Sequence, residues 1–487
     1  MSPTLDALLP SPARFLEGRL GPLRNPRVLA GYEAYFEGRG KGISEAVDRA
    51  GTPPLRMFDR FGARIDEVAF PPEYRELLTK GYEAGVVFKA VEEGDLLASY
   101  QVGYVTAFYD AGLYCPHTVS LSTAIPLAKY GSADLRAKYL PKLLKRDDSV
   151  WQGATWMTEA KGGSDLGSFV ETVARPDGDR WLLTGEKYFT SNVGAELAIA
   201  AARPEGAPAG VRGLELLLVP QRRDDGTLNF RVRRLKDKIG TRSVPTGEVE
   251  LDGSVGFLLG ERGQGTYLVL EALNVSRVCN SVGAVALTQR ALHEAWSFAK
   301  GRVAFGKPVA EQPLFARQAR ERHETLLDAF ALAWEAVTLL SEVWRETPRY
   351  SDRYHLFRLV AHLSKYWTAE VAVQTAKWAM EAHGGAGILT DYPVERLLRE
   401  AMILGIWEGT PHRQILDGME VVEKKRVHVP LLDGIAARGG NPVALAMSRS
   451  EVDEWLALPA ERKEAESERV FTRLAATVAR ELRRATI

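Results

Sequence analysis

The sequence changes period twice along its length, from helical to β and back, and that double change limits the folds open to it. From about residue 70 to 145 apolar residues recur at helical spacing through EYRELLTKGYEAGVVFKAVEEGDLLASYQVGYVTAFYDAGLY, with no regular turn punctuation. From Gly153 to about Gly256 come short runs such as SFVETVA, WLLTGEKYFTS, LELLLVP, LNFRVRRL and GEVELDG, parted by Gly, Asp and Pro. From Gly265 to about Val429 long amphipathic helical stretches return, among them VSRVCNSVGAVALTQRALHEAWSFAKGRVAF and the run from His323 to Glu346. The order predicts an α+β chain: an extension and helical domain over 1–152, an antiparallel β-barrel or sheet over 153–260, a four-helix bundle over 261–430, and a short helical tail over 431–487.

Composition narrows the function classes. With 487 residues, 45% apolar and 26% charged, the chain has material for a large core. Lys plus Arg number 63 and Asp plus Glu number 63, so no net field draws the whole molecule to nucleic acid or an anionic membrane. The part from Leu431 onward holds nine basic and nine acidic residues and is not a polybasic arm. Two cysteines, Cys115 and Cys279, lack metal-ligand spacing and suit a reducing compartment. The start, MSPTLDALLPSPARFL, has no basic region followed by an apolar run, and no segment has 18 uninterrupted apolar residues. The expectation is a cytoplasmic protein with no membrane segment and no metal.

Chemistry-bearing residues fall into a few motifs. In GIWEGTPHRQ, Glu408 stands behind bulky Trp407 and before Gly409. A carboxylate shielded from water has its pKa raised and can serve as a general base; a helix-capping glutamate, or one paired with Arg413, is the alternative. MTEAKGGSD offers the Thr158 hydroxyl, then glycines that let backbone N–H groups approach an anion, then Ser164. Taken alone it also reads as an ordinary strand-to-turn. In GEKYFTSN, Phe189 is either a core aromatic or a ring-stacking one. HGGAGI is not a dinucleotide fingerprint, since no strand with a following acidic partner surrounds it, so NAD binding is not predicted.

Taken in order, MTEAKGGSD, GEKYFTSN, RVAFGKP and YPVERLLREAMILGIWEGT resemble the acyl-CoA dehydrogenase family of flavoproteins across roughly residues 75 to 425. RMFDRFGARIDEVAFPP also resembles the AidB-type branch, associated with the adaptive response to DNA alkylation. The resemblance implies FAD as cofactor, with Met157, Thr158, Gly163 and Ser164 holding the ring edge and pyrophosphate, Phe189 packing on the isoalloxazine and Ser191 donating near N5. It implies that Arg302, Phe305 and Gln312 reach the FAD bound mainly by a neighbouring chain of a homodimer or homotetramer, and that Gly384, Gly385 and Thr410 complete the cofactor contacts. Glu408 is then the base that takes the α-proton of an acyl-CoA while the β-hydride leaves for flavin N5. Some branches carry the base just before the arginine that matches Arg277; that position is Ser276 here, which cannot serve.

Departures from the family pattern bear on substrate and loop. Ala160 stands for a usual Pro and Gly162 for Ala. Pro411, His412 and Arg413 replace the usual small polar and Gln residues, and His412 reads as solvent-facing. Arg277, Asn274 and Trp407 match substrate-binding positions, with Asn274 in place of an acidic residue at the CoA adenine and Trp407 in place of a tyrosine in the acyl-pocket wall. The leading expectation is an acyl-CoA dehydrogenase of fatty acid or amino acid catabolism that passes electrons to an electron-transferring flavoprotein. The alternatives are an AidB-like flavoprotein that binds DNA and protects it from alkylation, with weak dehydrogenase activity, and a flavin scaffold without turnover. DNA is the less favoured partner, because no cluster of Lys and Arg stands in the tail.

Overall fold

The computed structural model describes residues 9–485, which form two compact units. One holds residues 24–106 and 110–276; the other holds 9–23, 107–109 and 277–485.

The first unit begins with helices Pro26–Tyr35 and Lys41–Ala50. The segment RMFDRFGARIDEVAFPP then makes a hairpin, β1 (Leu55–Phe58) against β2 (Arg64–Val68). Asp59 closes its turn by accepting from the N–H groups of Phe61 and Ala63, at 2.8 and 2.9 Å. Helices Pro72–Ala84 and Ala111–Tyr130 follow. Asp110 caps the second of these through the Leu113 N–H at 2.8 Å and accepts from the Ser44 hydroxyl at 2.6 Å. Residues 111–127 of that helix are buried on every face, as its apolar composition dictates.

Seven strands follow: β3 (Gly153–Trp156), β4 (Val173–Asp177), β5 (Arg180–Ser191), β6 (Leu197–Pro204), β7 (Glu215–Pro220), β8 (Arg231–Leu235) and β9 (Thr246–Leu258). Their pairings run β6-β4-β5-β9-β7 and return to β6, a closed circuit with β3 added on β6 and β8 on β9. Closure leaves few edges to protect. The expected antiparallel barrel is corrected in one respect: β3 and β4 both pair with β6 in parallel. Inward residues Leu183, Ala198, Ala200, Leu217, Val219, Val249 and Leu251 fill the interior, with Trp156 edge-on to Phe230 at 4.8 Å between centroids. Asp66 of β2 accepts from the Val232 N–H of β8 at 2.9 Å, fastening the hairpin to this domain.

In the second unit the 352–382 helix (Asp352–Ala382) packs against Pro313–Val343, Pro393–Ile406 and Pro411–Lys425, the core of the expected bundle. The Gly265–Gly301 helix reaches this unit from Arg277 onward. The sequence pattern predicts an amphipathic helix, yet from Ala272 to Leu292 every residue but Leu273 is buried. The tail differs from a short appendix as well. It folds as His428–Ala437, Pro442–Leu456 and a 26-residue helix, Ala460–Ala485, whose Val470, Phe471, Leu474, Val478 and Leu482 are buried. Gly418 makes room for Phe471, since a Cβ there would lie 2.4 Å from the ring. No helix among the described residues is long and apolar enough to cross a membrane.

Candidate functional site

In the second unit the 393–406 helix stops at Trp407, and the 411–425 helix starts after Thr410. Between them Glu408 has φ +58° and Gly409 φ +101°. A left-handed glutamate costs on the order of 1–2 kcal/mol and persists only where its surroundings over-determine it. They do so here through the backbone carbonyls. Lys365 Nζ donates to Gly405 O at 2.9 Å and Gly409 O at 2.8 Å. Gln414 Nε2 donates to Glu408 O at 3.0 Å and Gly409 O at 3.1 Å, and Arg277 Nε donates to Glu408 O at 3.2 Å. Asn280 Nδ2 donates to Leu404 O at 3.2 Å, while its Oδ1 accepts from the Trp407 indole.

Behind this turn lies a buried charged layer. Arg277 Nη2 is 3.7 Å from Asp417, which also pairs with Arg413 through Nε at 2.8 Å. His362 Nδ1 meets Gln414 Oε1 at 2.9 Å; burial, then the Arg277 charge, pushes the imidazole down to about 3, so it is neutral near pH 7. Burial, then Arg277, lowers the Lys365 amine to about 7, with the Glu408 carboxylate opposing. Burial likewise lowers the Arg277 guanidinium. Glu408 is half-buried between this layer and solvent. Lys365 and His362 carry no sequence signal, because a lone Lys or His on a helix has no motif of its own, and Gln414 closes GIWEGTPHRQ with a role only the fold reveals.

Other predicted residues of this unit lie apart from the turn in sequence and are exposed, apart from half-buried Gln312. Phe305 and Gly306 form the two-residue tip of a hairpin, Val303–Ala304 against Lys307–Pro308, with φ +50° and +82°. Phe305 is 99% exposed, Arg302 is exposed, and Gln312 Nε2 secures the hairpin by donating to Ala304 O at 3.0 Å. Gly384, with φ +59°, and Gly385 are exposed in a short 3-10 turn, and His412 is exposed.

In the first unit the MTEAKGGSD and GEKYFTSN motifs are bonded to one another: the Tyr188 N–H donates to Thr158 O at 3.0 Å. A buried ion pair underlies them. Lys187 Nζ lies 2.6 Å from Glu159 Oε1 and donates to Ala201 O at 2.7 Å. Glu159 further accepts from Glu171 N at 2.7 Å, Thr172 N at 3.1 Å and the Thr172 hydroxyl at 2.6 Å, so the carboxylate is well satisfied. Above the pair the loop turns back through Gly162 and Gly163; a Cβ on Gly163 would lie 2.5 Å from the Thr158 hydroxyl oxygen. Met157 is buried, Thr158 and Ser191 half-buried, Ser164 exposed, and Phe189 lies 54% exposed on β5. The Lys236 amine lies 4.7 Å from the centre of the Phe189 ring; an exposed aromatic, hydroxyls and a glycine loop are the kinds of group that suit the flat ring and anionic tail of a flavin nucleotide. Asn274 is buried, and Ser276 is buried with its hydroxyl 2.9 Å from that of Ser122. Among the described residues no group of His, Cys, Asp and Glu has the arrangement of a metal site.

A closed β-domain followed in sequence by a helical bundle sets the architecture, and comparison with known proteins names the class. Residues 154–254 match the acyl-CoA dehydrogenase middle domain, 263–422 the acyl-CoA dehydrogenase C-terminal domain, and 42–148 the N-terminal domain of adaptive response protein AidB. The chain is 31% identical to glutaryl-CoA dehydrogenase of Desulfococcus multivorans over 60% of its own length and 71% of the relative's. It is 32% identical to acyl-CoA dehydrogenase family member 11 of Caenorhabditis elegans, over 79% of this chain and 66% of that one. It is 29% identical to the putative acyl-CoA dehydrogenase AidB of Escherichia coli, over 82% and 76%. Among solved structures, Bd2924 in its apo form superposes with a TM-score of 0.89 at 28% identity, covering 98% of this chain and 97% of that one. C. elegans ACDH-11 in complex with C11-CoA gives 0.85 at 25% identity, over 98% and 86%. The chain belongs to the acyl-CoA dehydrogenase family of oxidoreductases, and its N-terminal part is of the AidB type.

Proposed function

We propose that the chain is an FAD-dependent acyl-CoA dehydrogenase in which Glu408 removes the α-proton of an acyl-CoA thioester. The observation that carries this reading is the Glu408 turn: a carboxylate in a strained backbone conformation, with its carbonyls fixed by Lys365, Gln414 and Arg277. Strain retained at such expense belongs to a group whose placement matters for chemistry. Met157, Thr158, Gly163, Ser164, Phe189 and Ser191 would hold FAD, which supplies the acceptor for the β-hydride. Arg302, Phe305 and Gln312 would complete the site of a neighbouring chain in a homo-oligomer, with Gly384, Gly385 and Thr410 as further contacts. A fully exposed phenylalanine at a hairpin tip supports that assignment. Trp407, Arg277 and Asn274 would shape the acyl and CoA sites, and an electron-transferring flavoprotein would reoxidise the cofactor.

The C11-CoA complex of ACDH-11 favours an acyl-CoA of medium length as the first substrate to try. A DNA-protecting reading finds support in the AidB-type N-terminal part. Against it, arginines of the last helix face carboxylates: Arg469 with Glu466, Arg473 with Glu451, Arg483 with Asp328 and Arg484 with Glu481. The test is anaerobic. Purified protein is expected to be yellow and to bleach with C11-CoA, and Glu408→Gln to stay yellow while bleaching about 10²–10⁴-fold more slowly, the usual effect of losing a general base. Colourless protein that takes up no FAD overturns the cofactor; wild-type bleaching in Glu408→Gln overturns the base.

A further inference from the structure

We propose that Lys365 is a positioning residue for Glu408, clamping both ends of the turn that carries the carboxylate and giving it a fixed counter-charge. The inference rests on the reading of Glu408 as the base. Lys365 stands in the middle of the 352–382 helix and is 1% exposed. A buried lysine is costly to retain unless its donors are used and its charge is answered. Its two bonds go to Gly405 O and Gly409 O, the carbonyls on either side of Ile406, Trp407 and Glu408. The helix end before the base and the glycine after it are therefore held by one atom.

The surrounding charges give the clamp a second role. Arg277 of the 265–301 helix, Glu408 in the turn and Glu370 on its own helix act on the amine. Arg413 and Asp417 of the 411–425 helix, with Arg358 and neutral His362 of the 352–382 helix, stand around Arg277. Lys365 and Arg277 are thus both buried cations coupled to the Glu408 charge. With its amine lowered to about 7 by burial, Lys365 is charged through the acid range in which a carboxylate titrates. A neutral amine still has two N–H groups, so the carbonyl bonds outlast the charge. Removing the cation disfavours the carboxylate form of Glu408 and raises its pKa.

Two readouts on FAD-loaded Lys365→Met and Lys365→Gln separate clamp from charge. In Lys365→Met, amide exchange of residues 404–411 is expected to quicken about tenfold or more, since hydrogen bonds to a charged group no longer hold the turn. Anaerobic bleaching by saturating C11-CoA should slow about 10²-fold at unchanged half-saturation, and the acid limb of its pH profile should move to higher pH. Lys365→Gln retains a donor without the charge. It should recover part of the exchange protection while keeping the shifted limb, and it supplies both readouts if Lys365→Met does not fold. Wild-type exchange of the segment in these variants overturns the clamp, and a wild-type acid limb overturns the counter-charge. Glu408→Gln measured alongside keeps the failures distinct: if it bleaches at the wild-type rate the base reading falls and the role of Lys365 toward a base falls with it, whereas normal exchange in the Lys365 variants sinks the proposal with the base intact.

Discussion

At the scale of single residues, Glu408 combines two demands that are separable by substitution. Its backbone must accept φ +58°, and its side chain must reach a substrate. Asp tolerates the left-handed region better than Glu and keeps the charge, but its carboxylate stands one methylene back. Glu408→Asp should therefore fold, bind FAD normally and bleach with C11-CoA about 10²-fold more slowly, as a misplacement near 1 Å costs in enzymes generally; a rate within a factor of a few of wild type would show that reach is not what the turn controls. Gly163 poses the converse case, in which a side chain is excluded. Its missing Cβ would meet the Thr158 oxygen at 2.5 Å, so Gly163→Ala must shift the loop, at about 1–3 kcal/mol. FAD affinity measured by flavin release should fall about tenfold or more. Both residues were legible in the sequence because they sit in motifs. Lys365 and Lys187 were not: Lys365 stands in no motif, Lys187 lies in GEKYFTSN but on an alternating strand where a lysine reads as a solvated side chain, and only the fold shows that their ammonium groups end on backbone carbonyls and, for Lys187, a carboxylate.

At the scale of elements, β4, β5 and the MTEAKGGSD loop are pinned by the Glu159–Lys187 pair, since Thr172 precedes β4 and Lys187 lies within β5. Lys187→Met leaves Glu159 as a buried charge answered only by backbone N–H groups and the Thr172 hydroxyl, and should cost about 3–5 kcal/mol in denaturant unfolding. Glu159→Gln added to it removes the stranded charge, so the double variant should be more stable than Lys187→Met by itself. Equal stability of the two would mean that Glu159 takes up a proton or water in the single variant. The β-domain was legible as strands because period-two alternation and Gly, Asp and Pro punctuation are local signals. Its closed circuit was not, for the parallel pairings of β6 with β3 and β4 join residues about 30 to 45 apart and leave no mark in local spacing. The 265–301 helix was legible as a helix, yet its burial on nearly all faces was not, because small Ala, Ser and Gly residues blur the difference between a stripe and a surround. The same holds for the 460–485 helix, whose charged face hid how firmly its apolar face is buried.

At the scale of the whole molecule, the question is whether one chain suffices for an FAD site. Phe305 at 99% exposure and exposed Arg302 stand on a two-residue hairpin whose turn geometry is set by Gly306 and braced by Gln312. Such a tip gains nothing from presenting a phenylalanine to water, whereas a guanidinium beside it suits the pyrophosphate of a cofactor held by another chain. On that reading Arg302→Ala should weaken FAD binding although its own MTEAKGGSD loop is intact. Complementation makes the argument decisive. In a mixed dimer of Arg302→Ala and Gly163→Ala chains, one site receives the sound loop of the first and the sound hairpin of the second, while the other site receives both defects. About half the sites should then hold flavin as tightly as wild type, read as a biphasic FAD titration of the purified mixed species. If every site in the mixture were weakened alike, each chain would be binding its own flavin, and the hairpin would have to owe its exposed phenylalanine to some other contact.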